Sequence, residues 1–411
     1  MEKKEIKKWV IMKRILIVCH DNLLYGASKS LLDWVKTINK DQCPYEFMFV
    51  VPNTNGLLKD QLEMIGQKVI QLKYYQPIKK FNNNSLTIKM KNLIRATLCR
   101  IFNPITICRL SKVCKEETID LIHSNSFVIS IGAELARKNN IPHVWHIREF
   151  MEEDHMMSHI YRDSYIKLLT KCSYPIFISK AIESKFQSYF PANNGKIIYN
   201  TISYDSGYIK KRTFMEDRVC NLIIVGKITK KKGQMEAIHA VETVLNKGYK
   251  VRLYICGEGP EEQIIKEYVE KRTLQNYIKL LGFRNDVGEV RKNIDIALMC
   301  SSNEAFGRVT VEAMYYENFI IGKKSSGTKE IVINEENGLL YNPEKPEELA
   351  ECIIRVIENK KYAEQVISFA KEYALNKFSK SIYLDIENIY NLIINEKKNR
   401  YVSAPGTGRK H

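Results

Sequence analysis

The sequence has no Cys-x-x-Cys pair, no apolar run approaching the roughly 18 to 20 residues that span a bilayer, and no acidic residue between positions 68 and 115. Each gap excludes something. The ten cysteines lie apart, several within strand-like apolar runs where a thiol packs as a small hydrophobe, so they are read as reduced rather than as a disulfide scaffold. The opening MEKKEIKKWVIMKR is basic but runs into a short strand without a cleavage site, which argues against a signal peptide. No Walker Gly-Lys-Ser/Thr motif is present, and Gly257-Glu-Gly259-Pro lacks the third glycine of a dinucleotide fingerprint. His143-x-x-His146 and His155-x-x-x-His159 have metal-like spacing without His-Glu-x-x-His or a cysteine partner, and no convincing Asp-x-Asp appears, so no metal and no cofactor are expected.

What is present is ordinary in amount and unusual in charge. At 411 residues with 45% apolar and 27% charged side chains, the chain has material for two or three globular units. Its formal charge is +17, which calls for an anionic partner. Residues 1–200 carry 30 Lys+Arg against 18 Asp+Glu, so the excess sits mainly in the first half. The acid-free stretch alone holds 11 basic residues.

Short β-branched apolar runs alternate with segments of helical period throughout, the pattern of an α/β chain with parallel sheets. In the first half, strands are read near residues 14–19, 45–51, 68–72, 120–123, 143–146, 175–178 and 196–199. After a polar, irregular segment a second series begins, near 221–225, 250–256, 277–281, 295–300, 319–322 and 338–341. The restart places a first Rossmann-like domain at 13–200, a linker at 201–218 and a second such domain at 219–378. A helix at 379–395 is expected to pack back on the first domain, and 401–411 reads as a flexible tail. Open parallel sheets bind ligands beyond the carboxyl ends of their strands, so the two domains are expected to face each other across a cleft, with the chemistry on post-strand loops.

The densest chemistry is Glu304-Ala-Phe-Gly-Arg-Val-Thr-Val-Glu312, directly after the strand at 295–300. If a helix starts near Arg308, the amides of Phe306 to Val309 form an anion site at its positive end, with a carboxylate on either side to accept sugar hydroxyls. An ordinary capped helix with surface glutamates explains the same spacing equally well.

Glu, seven residues, Glu, with Phe-Gly between and Ala-Met after, resembles the signature of glycosyltransferase family 4, retaining nucleotide-sugar enzymes of the GT-B fold. Other segments match in order. Val225-Gly-Lys227 to Lys232-Gly233 resembles the family's basic diphosphate stretch, Cys256-Gly257-Glu-Gly259-Pro its next strand-to-helix loop, and Leu281-Gly-Phe283-Arg-Asn-Asp286 its base-contacting loop. Tyr25-Gly26-Ala27-Ser28 resembles the glycine-rich loop without its common double glycine, and Tyr199-Asn200-Thr201 the linker entry with Thr201 where Asn-Gly is usual. Trp145-His146-Ile-Arg148-Glu149 resembles a form found in bacterial members.

The resemblance implies a metal-independent hexosyltransferase using a UDP- or GDP-type donor. Lys227 and Lys232 would hold the diphosphate and offset charge on the departing nucleotide. Glu312 would take the ribose hydroxyls, and Glu304 with the Phe306 and Gly307 amides the transferred sugar, with Arg308, Val309, Gly257, Phe283, Gly26 and Ala27 around the donor. His146 would contact that sugar from the other domain, with His123, Arg148 and Glu149 in the sugar or acceptor vicinity. A solvated lysine run and structural strand-end histidines remain the plainer readings of the same residues. Retention by front-face attack or by a covalent intermediate stays open; Glu149 and Glu152 to Asp154 are the acids near enough in sequence to consider.

Between Leu86 and Phe102, apolar residues recur at helical spacing among Lys89, Lys91, Arg95 and Arg100. This reads as a basic amphipathic segment lying on an anionic membrane surface, or as a core-packed helix with a solvated basic face. No RNA or DNA module accompanies it, so nucleic acid is not expected. The expectation is a cytoplasmic, peripherally membrane-bound transferase acting on a lipid-linked or surface-glycan acceptor. A catalytically silent sugar-nucleotide or polyanion-binding protein of the same fold is the alternative.

Overall fold

The computed structural model describes residues 12–38, 43–81, 85–192, 194–203, 213–216, 219–379 and 382–402. Most of the 201–218 linker, residues 403–411 of the tail, and the side chains of Asp154 and His155 lie outside this description. The chain divides into two compact units: Met1–Ile178 with Ile182–Ile198 and Ser381–His411, and Ser179–Ala181 with Tyr199–Lys380.

The first unit is built on strands β1 (Lys13–Val18), β2 (Tyr45–Pro52), β3 (Lys68–Leu72), β5 (Ile119–Ser124), β6 (His143–Ile147), β8 (Ser173–Phe177) and β9 (Lys196–Ile197). They form one seven-stranded sheet in the order β3-β2-β1-β5-β6-β8-β9, with every pairing parallel. The strands are nearly continuous apolar runs because helices cover both faces and leave no wet side for polar alternation. A separate two-stranded antiparallel ribbon joins β4 (Ile78–Lys80) to β7 (Met157–His159), which the sequence reading did not foresee. Four helices matter below: α1 (Gly26–Lys36), α2 (Leu86–Glu116), α3 (Arg308–Tyr315) and α4 (Tyr383–Val402).

Ile386, Ile389, Tyr390 and Ile394 of α4 are buried in the same core as Ile15, Ile17 and Phe49. The Tyr45 hydroxyl donates to Asn391 Oδ1 at 2.7 Å, and the Tyr390 hydroxyl lies 2.6 Å from His123 Nδ1. The last helix is therefore part of the first unit's interior.

The second unit repeats the architecture with β10 (Cys220–Val225), β11 (Val251–Cys256), β12 (Ile278–Gly282), β13 (Ile296–Met299), β14 (Phe319–Lys323) and β15 (Leu339–Tyr341). These pair in parallel in the order β12-β11-β10-β13-β14-β15. Strand order reverses between β1 and β5 in one sheet and between β10 and β13 in the other. The loops leaving those strands are where an open parallel sheet leaves room for a ligand.

Candidate functional site

At the reversal point of the second unit, two loops are laced together. Lys230–Lys232 form a single 3-10 turn after β10, and the Ser302 amide, leaving β13, donates to the Lys231 carbonyl at 3.0 Å. That registers Lys232 against the first carboxylate: its Nζ lies 2.8 Å from Glu304 Oε2, both side chains part-buried. Gly233 closes the turn at φ +73°, and a Cβ there would come within 2.5 Å of the Cys300 carbonyl, so only glycine lets the lysine turn approach β13 this closely. Lys227 is exposed on the same loop.

The Glu304 loop is held from beneath. Phe306 is buried between Tyr199 and Phe378, with ring centroids at 6.0 and 5.6 Å, so its side chain anchors the loop. The Gly327 amide donates to the Glu304 carbonyl at 2.8 Å. Gly307 then starts α3 at φ +101°, a left-handed conformation, and Arg308 is the first helical residue, as the sequence spacing anticipates. Glu312 lies one turn on, its carboxylate 3.2 Å from Arg308 and 4.0 Å from the fully buried Arg291, which also donates to the Val309 carbonyl at 3.2 Å. Both carboxylates are thus aimed by cations, either side of a helix N-terminus.

Across the sheet, Gly257 is a steric requirement: its added Cβ would sit 2.0 Å from the Gly226 carbonyl, where the β10 and β11 loops cross. Phe283 stands half exposed beside them, its amide 3.3 Å from Glu258 Oε1. An exposed aromatic face at a strand end suits a flat ring.

In the first unit the corresponding strand ends collect a polar cluster. His20 and Asp21 follow β1, Asn125 and Ser126 follow β5, and His146, Arg148 and Glu149 end β6 or follow it. His20 Nε2 is 3.1 Å from Asp21, whose other oxygen accepts from the Ser28 hydroxyl at 2.7 Å. Arg148 Nε donates to Asn125 Oδ1 at 2.8 Å, and Glu149 Oε1 accepts from the Ser126 hydroxyl and the Phe127 amide at 2.6 and 2.9 Å. Burial raises the Glu149 carboxyl above its ordinary range despite these donors. Burial opposes charge on His20 most strongly of any single influence, but the bond to Asp21 and the charges of Asp21 and Glu149 together outweigh it and raise the imidazole. Gly26 and Ala27 open α1 nearby, with the Ala27 carbonyl 3.4 Å from Asn125 Nδ2.

His146 and His123 sit below this rim. Both are fully buried and stacked with centroids 5.4 Å apart; burial holds both well below the usual histidine range. His146 Nδ1 is 3.2 Å from Arg148, while its buried Nε2 has no hydrogen-bond partner among the described residues. His143, the other half of the His-x-x-His pair, uses both nitrogens on Ser124 and Ser173, at 2.9 and 2.6 Å. Among the described residues no group of three metal-ligating side chains occurs.

The structure thus gathers Lys227, Lys232, Glu304, Phe306, Gly307, Arg308, Val309 and Glu312 around one reversal point, and His123, His146, Arg148 and Glu149 around the other. His20, Asp21, Asn125, Ser126 and Arg291 were missed. All but Arg291 are polar residues directly after a strand, a position that could have singled them out.

Residues 210–373 match the family model described as glycosyl transferases group 1. The chain is 25% identical over 297 residues to an uncharacterized glycosyltransferase, MJ1607, of Methanocaldococcus jannaschii, covering 66% of this chain and 75% of that one. It is 23% identical over 377 residues to the alpha-monoglucosyldiacylglycerol synthase of Acholeplasma laidlawii, covering 83% of this chain and 94% of the relative. Among solved structures, Anabaena HepE in complex with UDP and glucose superposes with a TM-score of 0.67 at 22% identity, covering 95% of this chain and 99% of that one. The second unit therefore matches the glycosyl transferases group 1 model over residues 210–373, on a chain with the two Rossmann-like units of the GT-B fold.

Proposed function

We propose that this chain is a retaining, metal-independent glycosyltransferase that moves a hexose from a UDP- or GDP-type donor to a lipid-linked or cell-surface glycan acceptor. The observation that carries the reading is the Lys232–Glu304 pair at 2.8 Å beside the N-terminus of α3, with Glu312 fixed by Arg308 one turn on. A diphosphate needs cations and amides; a sugar and a ribose need carboxylate acceptors. Lys227 and Lys232 would bind the diphosphate and offset the charge that grows as the glycosidic bond breaks, work a divalent cation does elsewhere. Glu304, released from Lys232 when phosphate takes its place, would accept from the sugar hydroxyls, and Glu312 from the ribose. Phe283 would stack on the base. The HepE structure with UDP and glucose supports a nucleotide-sugar donor.

In the first unit, Glu149, His20 and Asp21 form the polar rim available to an acceptor, with His146 Nε2 beneath it. The acceptor class is supported by the Acholeplasma relative, a diacylglycerol glycolipid synthase by name, and by α2. Leu86, Met90, Leu93, Ile94, Ile101 and Ile105 are exposed along that helix, interspersed with Lys89, Lys91, Arg95 and Arg100. Such a stripe is suited to an anionic bilayer surface at the cytoplasmic face. No helix among the described residues is long and apolar enough to cross a membrane.

The test begins with thermal stabilisation by nucleotides, since a ligand bound only by the folded state raises stability. Donor turnover is then followed with Glu304→Ala and Lys232→Ala, with and without EDTA. The reading expects turnover that EDTA leaves intact, both variants to lose it, and product of unchanged anomeric configuration by NMR. Full turnover in both variants overturns the assignment. For α2, binding to vesicles should rise with anionic lipid and weaken when Lys89, Lys91, Arg95 and Arg100 are neutralised; indifference to both refutes the membrane surface.

A further inference from the structure

The ribbon β4–β7 roofs a cavity of about 490 Å³ in the first unit that adjoins the strand-end cluster through Phe127. The ribbon is closed at both ends, by the Phe81 amide on the Met156 carbonyl and the Ile160 amide on the Pro77 carbonyl, each at 2.8 Å. Phe81, Tyr161 and Tyr189 supply accessible aromatic wall over the buried Phe127 and Phe186, and Lys79, Glu152, Arg162 and Asp163 supply charged heads. Aromatic faces with interleaved donors and acceptors are what a sugar ring uses: its C–H face lies on the negative face of the rings, and its hydroxyls pair with the polar heads.

Two connections give the cavity a role. Phe127 is shared with the strand-end cluster, its amide holding Glu149 at 2.9 Å while its ring lines the cavity and packs edge-on against His159 at 5.1 Å. On the other side, Asn92 of α2 donates to the Lys80 carbonyl and accepts from the Lys80 amide, at 2.9 and 3.0 Å. That bond ties the roof strand to the helix next to Met90 and Leu93, which are 64% and 69% exposed. A sugar in the cavity therefore has Glu149 behind one wall and an open apolar stripe beside the other.

We infer that this cavity holds the sugar head of an amphiphilic acceptor, whose apolar tail leaves along the exposed stripe of α2. The inference rests on the transferase reading above and adds to it a substrate class, a glycolipid already carrying a sugar, and a place for it.

The experiment measures binding of octyl glycosides of glucose, galactose and N-acetylglucosamine to the full chain, below micelle formation and with UDP saturating. Methyl glycosides, and octyl triethylene glycol, which has the tail without the sugar, are the controls. At least one octyl glycoside should bind about tenfold more tightly than both its controls, since burying even two or three methylenes is worth that much. Phe81→Ala and Arg162→Ala alter partly or well exposed side chains, and the Arg162 side chain makes no cap bond, so both should fold. Each should erase the preference over the glycol head, and Met90→Ser with Leu93→Ser the preference over the methyl glycoside. No preference for any sugar head, or a preference that survives both cavity substitutions, overturns the proposal. Stabilisation by UDP and by GDP, read on the same preparation, separates the failures. Failure of both UDP and GDP to stabilise the unmodified chain sinks the transferase reading, whereas nucleotide binding without sugar preference sinks the cavity alone.

Discussion

Replacing Lys232 with methionine separates what the lysine does for the fold from what it does for the reaction. Its Nζ pairs with a part-buried carboxylate, Glu304, with side-chain exposures of 34% and 20%. A pair this open to solvent contributes at most about 1 kcal/mol, and methionine keeps most of the aliphatic stem. Unfolding stability should therefore fall by no more than about 1 kcal/mol. Transition-state stabilisation is a different scale. A preorganised charge aimed at a departing oxyanion is worth about 3 to 4 kcal/mol, or 10²- to 10³-fold in kcat. The two measurements are urea unfolding and the initial rate of donor turnover on the same preparation. A fall in kcat below tenfold, with stability nearly unchanged, would falsify the leaving-group role. A stability loss above about 3 kcal/mol would instead show the lysine to be structural. Glu304→Gln is the companion: it breaks the pair and keeps the cation, so donor affinity should fall while the diphosphate contact stays.

Gly307→Ala should cost about 1 to 3 kcal/mol of stability in the second unit by urea denaturation. Its φ of +101° is strained for any side chain, and the new Cβ would meet Ile331 and Thr310 at 3.2 Å. Arg291→Met removes a fully buried cation whose loss need not destabilise, because methionine fills the volume without a desolvated charge. The expected effect is a donor KM raised about tenfold with kcat little changed, since Glu312 would keep Arg308 but lose its second cation; an unchanged KM would refute that positioning role. Burial lowers the folded-state pKa of His143 to about 3 and of His159 to about 4, and carries His123 and His146 well below 6.5. Their stabilisation is complete above the unfolded value of 6.5 and is lost as pH falls below it, by about 1.4 kcal/mol per unit for each residue until the folded pKa is reached. Trp34 and Trp145 are buried in the first unit and the sequence has no tryptophan beyond position 145, so the urea midpoint by tryptophan fluorescence should drop between pH 7 and 5.5, and His143→Gln should flatten the slope. A midpoint independent of pH would contradict neutral burial.

How far the site was legible depends on how local it is in sequence. Glu304, Phe306, Gly307, Arg308 and Glu312 span nine consecutive residues after a strand, and one strand-turn-helix unit orients them all. Their spacing therefore carried most of their geometry. The first unit's cluster is assembled from β1, β5 and β6, and Arg148 reaches Asn125 only because the sheet brings those strand ends together. Reading each strand alone located His146 at an end but not its depth. Its fully buried position follows from the neighbouring His123 and Arg148, the latter two residues on and covering its Nδ1. The β4–β7 ribbon was invisible for a related reason. Ile78–Lys80 is a three-residue, lysine-rich segment with no alternation to read, and it becomes a strand only by pairing with Met157–His159, some eighty positions away. The same holds for the acid-free stretch. Composition presented it as one basic patch, whereas the fold divides it between β3, the cavity roof and α2. On α2 the cations share the surface with an exposed apolar stripe, a combination that charge alone would not distinguish from a solvated face. Local chemistry can be read from spacing, but chemistry assembled by β-sheet pairing cannot, because a partner's identity is set by strand order rather than by distance along the chain.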